Sequence, residues 1–512
     1  MKRNLLTGLF LLATWCIFAQ SDSLGQKEII NLLLPTAEGV TIVKTDRVEL
    51  PTRVRLEYVD ADMQFRGTRE VSLLHRGIPA ELDRVFAWND RLNVLSSFYY
   101  PGPKKNHVIL QQFDYADSLR ETYAQVLSEA YLPEGSPAPV HQAVSPDSSM
   151  LLIVSWELGI HTDPTRLHLL VFDQKMQRLR DERVLLPYTN DRSYLNEVRL
   201  LNDGTVVVLF ENYTGKLSQW SSPSATQVER FVLTFAPDET EPRRYEIKMP
   251  EKHLPTDYLM DIDRQGRGVV AGFYRHQNKE PWAGAFWHRL GTGGNGMERR
   301  YFPIGRDALQ RAYGGPGNKI EINRHAFTRY RLDHLLISDA GEVSLLAERH
   351  YAQQSRDIYR DGPGEILPDE YFDDILIVRI DERGRLKYTT RLPKQQKSPS
   401  WLTNRMSYQA TQDSNRIFIV YNDLPENYRN RGELERLERF ENERDLPVMA
   451  EVYSNGGFRF YLLNQAQTPN YTVRPEFAIP LGNRKILFYE EFLGRDYRYL
   501  MTVINIQKLY PR

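Results

Sequence analysis

Polar side chains recur at one position of a repeated pattern: Arg84, His141, Asn196, Asp257, Arg331, Arg405 and Glu476. Each opens a short apolar stretch that reads as the first strand of a small unit. A ring of such residues could hold a small polar ligand or a peptide terminus. Arginine's planar fork suits carboxylate pairing and aromatic stacking. Asp257 and Glu476 are the carboxylates that a carbohydrate- or lactone-cleaving hydrolase would place about 5–10 Å apart. Trp220, Tyr359 and Tyr428 lie in long polar segments, and aromatic residues there suit a binding surface.

Other chemistry is poorly represented. There is no Gly-x-Ser-x-Gly elbow and no phosphate-binding Gly-x-x-x-x-Gly-Lys-Ser/Thr. The run from Gly291 to Gly296 lacks the lysine and reads as a flexible turn. Asp261-Ile-Asp263-Arg-Gln-Gly266 faintly resembles a calcium loop, but Gln265 and Gly272 stand where oxygen ligands belong, so a turn is expected. The 11 histidines are scattered, without a His-Glu-x-x-His pair. No residue set is assigned to catalysis, a metal or a cofactor.

The elements that must position the polar ring come from internal repetition. Eight polar turns, at Glu38, Asp90, Asp147, Asp203, Gln265, Ala340, Asp413 and Leu481, each separate two strand-like runs. They are spaced about 52 to 75 residues apart. The third copy is clearest: Val140 to Val144, turn Ser145-Pro146-Asp147-Ser148, Met150 to Trp156, Leu167 to Asp173, and Glu182 to Leu186. Gly, Asp and Asn between β-branched runs is hairpin chemistry. Four short strands per copy (A to D) and almost no helical periodicity predict an all-β fold, a single β-propeller of four-stranded blades. The turn count gives eight blades. Seven is the alternative if the first copy is consumed in closure. The last copy lacks a clear fourth strand, which an N-terminal segment could supply.

The turn at Ser145 to Ser148 and its flanking strands resemble the WD40-like repeats of exported bacterial propellers, without the Gly that usually follows the Asp. The resemblance implies a fold and no particular activity. Alternating strands would put the A–B and C–D turns on one face of the ring. The long connections Asn212 to Gln227, Gly305 to Tyr330, Tyr351 to Tyr371 and Asn422 to Pro447 would all be B–C or D–A loops on the other face. Leu434, Leu437 and Phe440, spaced by three, suggest a short helix in the last of these. Binding residues concentrate on loops held by a rigid scaffold, so the loop-rich face is the expected functional surface.

Lys2 and Arg3 followed by an apolar run from Leu5 to Phe18 predict a cleaved export signal over residues 1–19. It resembles the signals of Gram-negative bacteria, and the propeller would occupy 20–512. Trp15 before Cys16 argues against lipidation, and no later segment is long enough to span a bilayer. The 512 residues hold 66 Lys plus Arg and 67 Asp plus Glu, a balance that disfavours nucleic-acid binding. One cysteine excludes a disulfide scaffold. The sequence therefore predicts an exported protein of the periplasm or cell envelope, with secretion as the alternative, and no transmembrane segment after cleavage. It would be a non-enzymatic binding or assembly platform for a protein, peptide or glycan. The alternative is the hydrolase with channel-rim carboxylates.

Overall fold

The computed structural model describes residues 17–19, 28–36, 39–46, 52–60, 64–115, 119–131, 139–157, 163–214, 227–277, 282–291, 296–304, 330–353, 368–399, 403, 405–413, 415–424, 426–427, 439–440, 446–463, 471–482, 485–492 and 499–505. Among these, no helix is long and apolar enough to cross a membrane.

Seven blades each consist of four consecutive antiparallel strands. They occupy residues 28–72, 81–131, 140–189, 193–246, 253–303, 330–392 and 409–462, here blades one to seven. An eighth, composite sheet closes the ring. Its inner strand is Ile479–Gly482, followed outward by Lys485–Phe492 and Tyr499–Asn505. Its outermost strand, Ile17–Ala19, comes from the other end of the chain, with Ile17 opposite Met501. The ring thus has seven complete blades plus a joint sheet, the point on which the sequence left two counts open. The N-terminal segment supplies the missing fourth strand and lies within the stretch expected to be an export signal.

Packing between neighbouring sheets closes the circle. Leu33, Val40, Ile42 and Val59 of blade one pack against Phe477, Leu487 and Tyr489 of the closing sheet. Phe418, Val420 and Met449 of blade seven pack on its other side against Val473, Ile486 and Phe488. Separate cores fill the gaps between the other neighbours. This arrangement explains the strand sequences. Each second strand is covered on both faces, so Leu151 to Trp156 and Val206 to Phe210 are unbroken buried runs. Outer strands such as Arg120–Tyr131 face water along much of their length and are polar.

Asp at the turns has a specific task. Its carboxylate accepts backbone N–H groups that the hairpin leaves unpaired. Asp263 Oδ1 accepts from Gln265 N and Arg267 N, both at 2.9 Å, and Oδ2 pairs with Arg267. The calcium-like run is therefore a blade turn, as expected. Asp147, Asp203, Asp381 and Asp413 repeat the device. Gly204, Gly266 and Gly384 end such turns with positive φ, where a side chain is strained. Ser148 holds the matching place in blade three at φ 59°, which explains how that turn forms without glycine. Gly272, in the second strand of blade five, is required for another reason. A Cβ there would lie 2.0 Å from the Asp257 carbonyl oxygen.

The long connections fall where the strand alternation places them. Residues 214–227, 354–368 and 424–445 join second to third strands in blades four, six and seven, and 304–329 joins blade five to blade six. All four leave from one face. Leu434 and Leu437 lie outside the described residues. Phe440 is fully buried and forms a parallel β-bridge with Gln396, not a helical turn.

Candidate functional site at the channel mouth

The inner strands share a departure from regular pairing. In five of them the register against the second strand shifts by one residue near the end that meets the loop-rich face. The residues left out are Asn31, Asp83, Asn196, Thr256 and Asp333. All five are polar. Such a bulge twists a strand and re-aims its side chains. Here the bulged positions lie near the mouth of the channel.

The polar ring expected from sequence maps onto these bulges in part. Asn196 is itself a bulged residue and is exposed. Arg84 follows bulged Asp83 and Asp257 follows bulged Thr256, while Arg331 lies two residues before Asp333. His141 sits in the unbulged inner strand of blade three, opposite Val154. Arg405 precedes the inner strand of blade seven, and its carbonyl accepts from Asn422 Nδ2 at 2.8 Å. Glu476 is exposed on a 3-10 turn of the closing sheet and pairs with Arg474. Trp220, Tyr359 and Tyr428 lie outside the described residues.

Electrostatics divides the mouth into two sides. Burial raises the Asp257 carboxyl above its usual range, the Asp333 charge adds to this, and the Leu332 N–H and Arg331 oppose it. The carboxylate acting on Asp257 is thus Asp333 of the next blade, not Glu476. Asp333 in turn accepts from Arg331 Nε at 2.9 Å and from the Glu348 N–H at 3.2 Å. On the other side, burial pushes the Asp83 carboxyl up to about 8, with the Glu81 charge adding and the Ser97 hydroxyl opposing. Ser97 Oγ donates to Asp83 Oδ1 at 3.1 Å, while Asp83 Oδ2 is sealed from water without a partner. Burial, then the charge of Arg84, holds His141 below its ordinary value.

Behind the mouth, between blades six and seven, lies a network that sequence reading missed. Lys394 Nζ and Glu348 Oε1 form a 2.5 Å ion pair with both side chains fully buried. Lys394 Nζ also donates to Gln396 Oε1 at 2.7 Å and to the Phe372 carbonyl at 3.1 Å. Ser407 Oγ donates to Glu348 Oε2 at 2.7 Å, and Ser407 N donates to Gln396 Oε1 at 2.9 Å. Gln396 Nε2 reaches the Asn422 carbonyl, and Asn422 Nδ2 reaches that of Val473. Blade six, blade seven and the closing sheet are thereby tied together beside Arg405. The only sequence signal was a glutamate ending the apolar run Val343 to Ala347.

At the loop face of blade six, Tyr351 and Tyr371 stack in parallel with ring centroids 4.8 Å apart. The Arg439 guanidinium lies 4.9 Å from the Tyr371 ring centroid and donates to Asp373 Oδ1 at 3.0 Å. Tyr351 Oη donates to Asp373 Oδ2 at 3.2 Å. These loop aromatics and arginines brace one blade's connection against its neighbour. Among the described residues, no group of three His, Cys, Asp or Glu is placed to hold a metal ion.

No family model matches the chain. No curated protein matches it either. Solved structures similar to it include the β-propeller domain of the trilobed protease from Pyrococcus furiosus, at 9% identity and a TM-score of 0.36, covering 87% of this chain and 98% of that one. The polysaccharide lyase Uly1 is similar at 9% identity and a TM-score of 0.37, covering 93% and 99%. The propeller domain of Cps50 (Swd1) from Myceliophteria thermophila is similar at 8% identity and a TM-score of 0.32, covering 80% and 96%. These proteins differ in what they do, and likeness at this level says nothing of activity.

Proposed function

We propose that the protein is an exported, non-enzymatic binding or assembly platform, whose loop-rich face holds a protein, peptide or glycan partner in the cell envelope. The observation that carries this reading is the coincidence of two features on one face. The four long connections emerge there, and the five polar bulged positions of the inner strands lie near the same end. Short hairpins on the opposite face offer little variable surface. Arg, Tyr and Trp in the long connections are the residue types enriched at binding hot spots.

Export rests on the apolar leader. Cleavage after Ala19 removes the strand Ile17–Ala19 and leaves Tyr499–Asn505 as the outer edge of the closing sheet. An open edge of that kind is itself available for pairing.

The test is a pull-down from the native envelope with a variant that lacks residues 429–438, keeping Arg439 and the buried Phe440, and carries Trp220→Ala. Partners captured by the wild-type protein are expected to be lost or strongly depleted, with the far-ultraviolet spectrum unchanged. Retention of every partner by the folded variant would overturn the reading.

A further inference from the structure

Blade five carries two histidines where its first strand begins and its second strand ends, on the loop-rich face. His253 opens the strand His253–Ile262, and His276 closes the strand Gly268–His276. The two residues stand directly opposite each other in the pairing. A backbone bond from Gln277 N to the Lys252 carbonyl, at 2.8 Å, flanks them, so they form a pair without mutual backbone bonds. In an antiparallel sheet this is the closer kind of pair, with Cα atoms about 4.5 Å apart. Both side chains therefore lie on one face of the sheet. Both are half-buried, and their ring centroids are 5.4 Å apart with the planes at 73°.

His253 is also oriented from behind. Its Nδ1 lies 2.8 Å from the Glu251 carbonyl oxygen. A carbonyl only accepts, so Nδ1 carries the hydrogen, and the neutral ring has its lone pair on Nε2. Donation of one ring N–H to a backbone carbonyl is the usual support of a metal-ligating histidine. The Tyr274 ring packs edge-on against the same imidazole, with centroids 5.3 Å apart, and restricts its rotation.

We propose that His253 and His276 form a binding site for a divalent transition-metal ion, Zn²⁺ or Cu²⁺, on the rim of blade five. An ion about 2.0–2.1 Å from a ring nitrogen lies about 3.2 Å from the ring centre, so tetrahedral ligation sets two imidazole centres about 5 Å apart. The observed separation matches. Imidazole suits these ions, whereas Mg²⁺ and Ca²⁺ take oxygen ligands. An imidazole has two ring nitrogens, so His276 can give one to the ion while the other keeps a hydrogen bond. Two protein ligands leave the remaining positions open to water or to a donor from a bound molecule. The site needs no partner, so it stands or falls separately from the platform reading.

The test titrates ZnCl₂ into the full-length protein in a calorimeter, after metal removal by a chelator and without a polyhistidine tag. The expected result is about one equivalent bound, with affinity weakened about tenfold or more in His253→Gln and in His276→Gln, and no binding of Mg²⁺. A second measurement needs no variant. Cu²⁺ is paramagnetic, and a substoichiometric amount should broaden the ring resonances of His253 and His276 before those of the other histidines. No zinc binding, zinc binding that either substitution leaves unchanged, or copper broadening that begins at other histidines would overturn the site.

Discussion

Replacing Lys394 with methionine is expected to destabilise the propeller by about 3–5 kcal/mol, among the largest effects of any single change in the chain. The reason is asymmetric. Lys394 and Glu348 are both fully buried and meet at 2.5 Å. Removing one partner leaves the other in a low-dielectric interior with its main compensation gone. Burial already pushes the Glu348 carboxyl up, against the opposing charge of Lys394. Methionine fills the lysine volume but gives no hydrogen bond to Gln396 or to the Phe372 carbonyl. Urea unfolding of Lys394→Met should show a lower midpoint. The double variant Lys394→Met/Glu348→Leu should recover much of the loss, because a buried pair exchanged for apolar residues is often near neutral. A single variant as stable as the wild type would show that the pair contributes nothing.

The second large effect depends on pH. Asp83 is neutral in the folded protein up to about 8, whereas an unperturbed aspartate titrates near 3.8. Between these values the folded state holds a proton that the unfolded chain releases, so raising the pH favours unfolding across that window. The contribution is fully present below pH 4, falls progressively, and is lost above about 8. At about 1.4 kcal/mol per unit over about four units, the penalty at alkaline pH is on the order of 6 kcal/mol. Asp83→Asn keeps the shape and removes the ionisation. It should be markedly more stable than the wild type at pH 8.5 and nearly equal to it at pH 4. Parallel stability profiles for the two proteins from pH 4 to 9 would contradict the assignment.

Much of the fold was legible because each blade repeats the same local solution. Asp and Gly mark the hairpins since the carboxylate replaces missing N–H partners and glycine accepts positive φ. The doubly covered second strands are unbroken apolar runs for the reason that both faces meet a neighbouring blade. The four long connections followed from strand alternation alone. The bulges were not legible. One unpaired residue leaves the composition of a strand unchanged, so Asp83 and Asp333 were passed over for their neighbours Arg84 and Arg331. Glu348 and Lys394 were hidden for a different reason. They lie 46 residues apart in the chain, and no local pattern announces a pair made between a blade's second strand and the connection that leaves the blade. Glu476 was visible as an acid, but its engagement with Arg474 depends on the 3-10 turn at Pro475.

The central claim is that the loop-rich face is where a partner binds, and site-specific photo-crosslinking tests it most directly. A photoreactive residue at exposed Asn196 reports on the channel mouth, and one at Asp90, in the first-to-second-strand turn of blade two, reports on the opposite face. In the native envelope, the account predicts a discrete adduct from position 196 and none from position 90. Adducts from position 90 alone, or the same adducts from both positions, would contradict it.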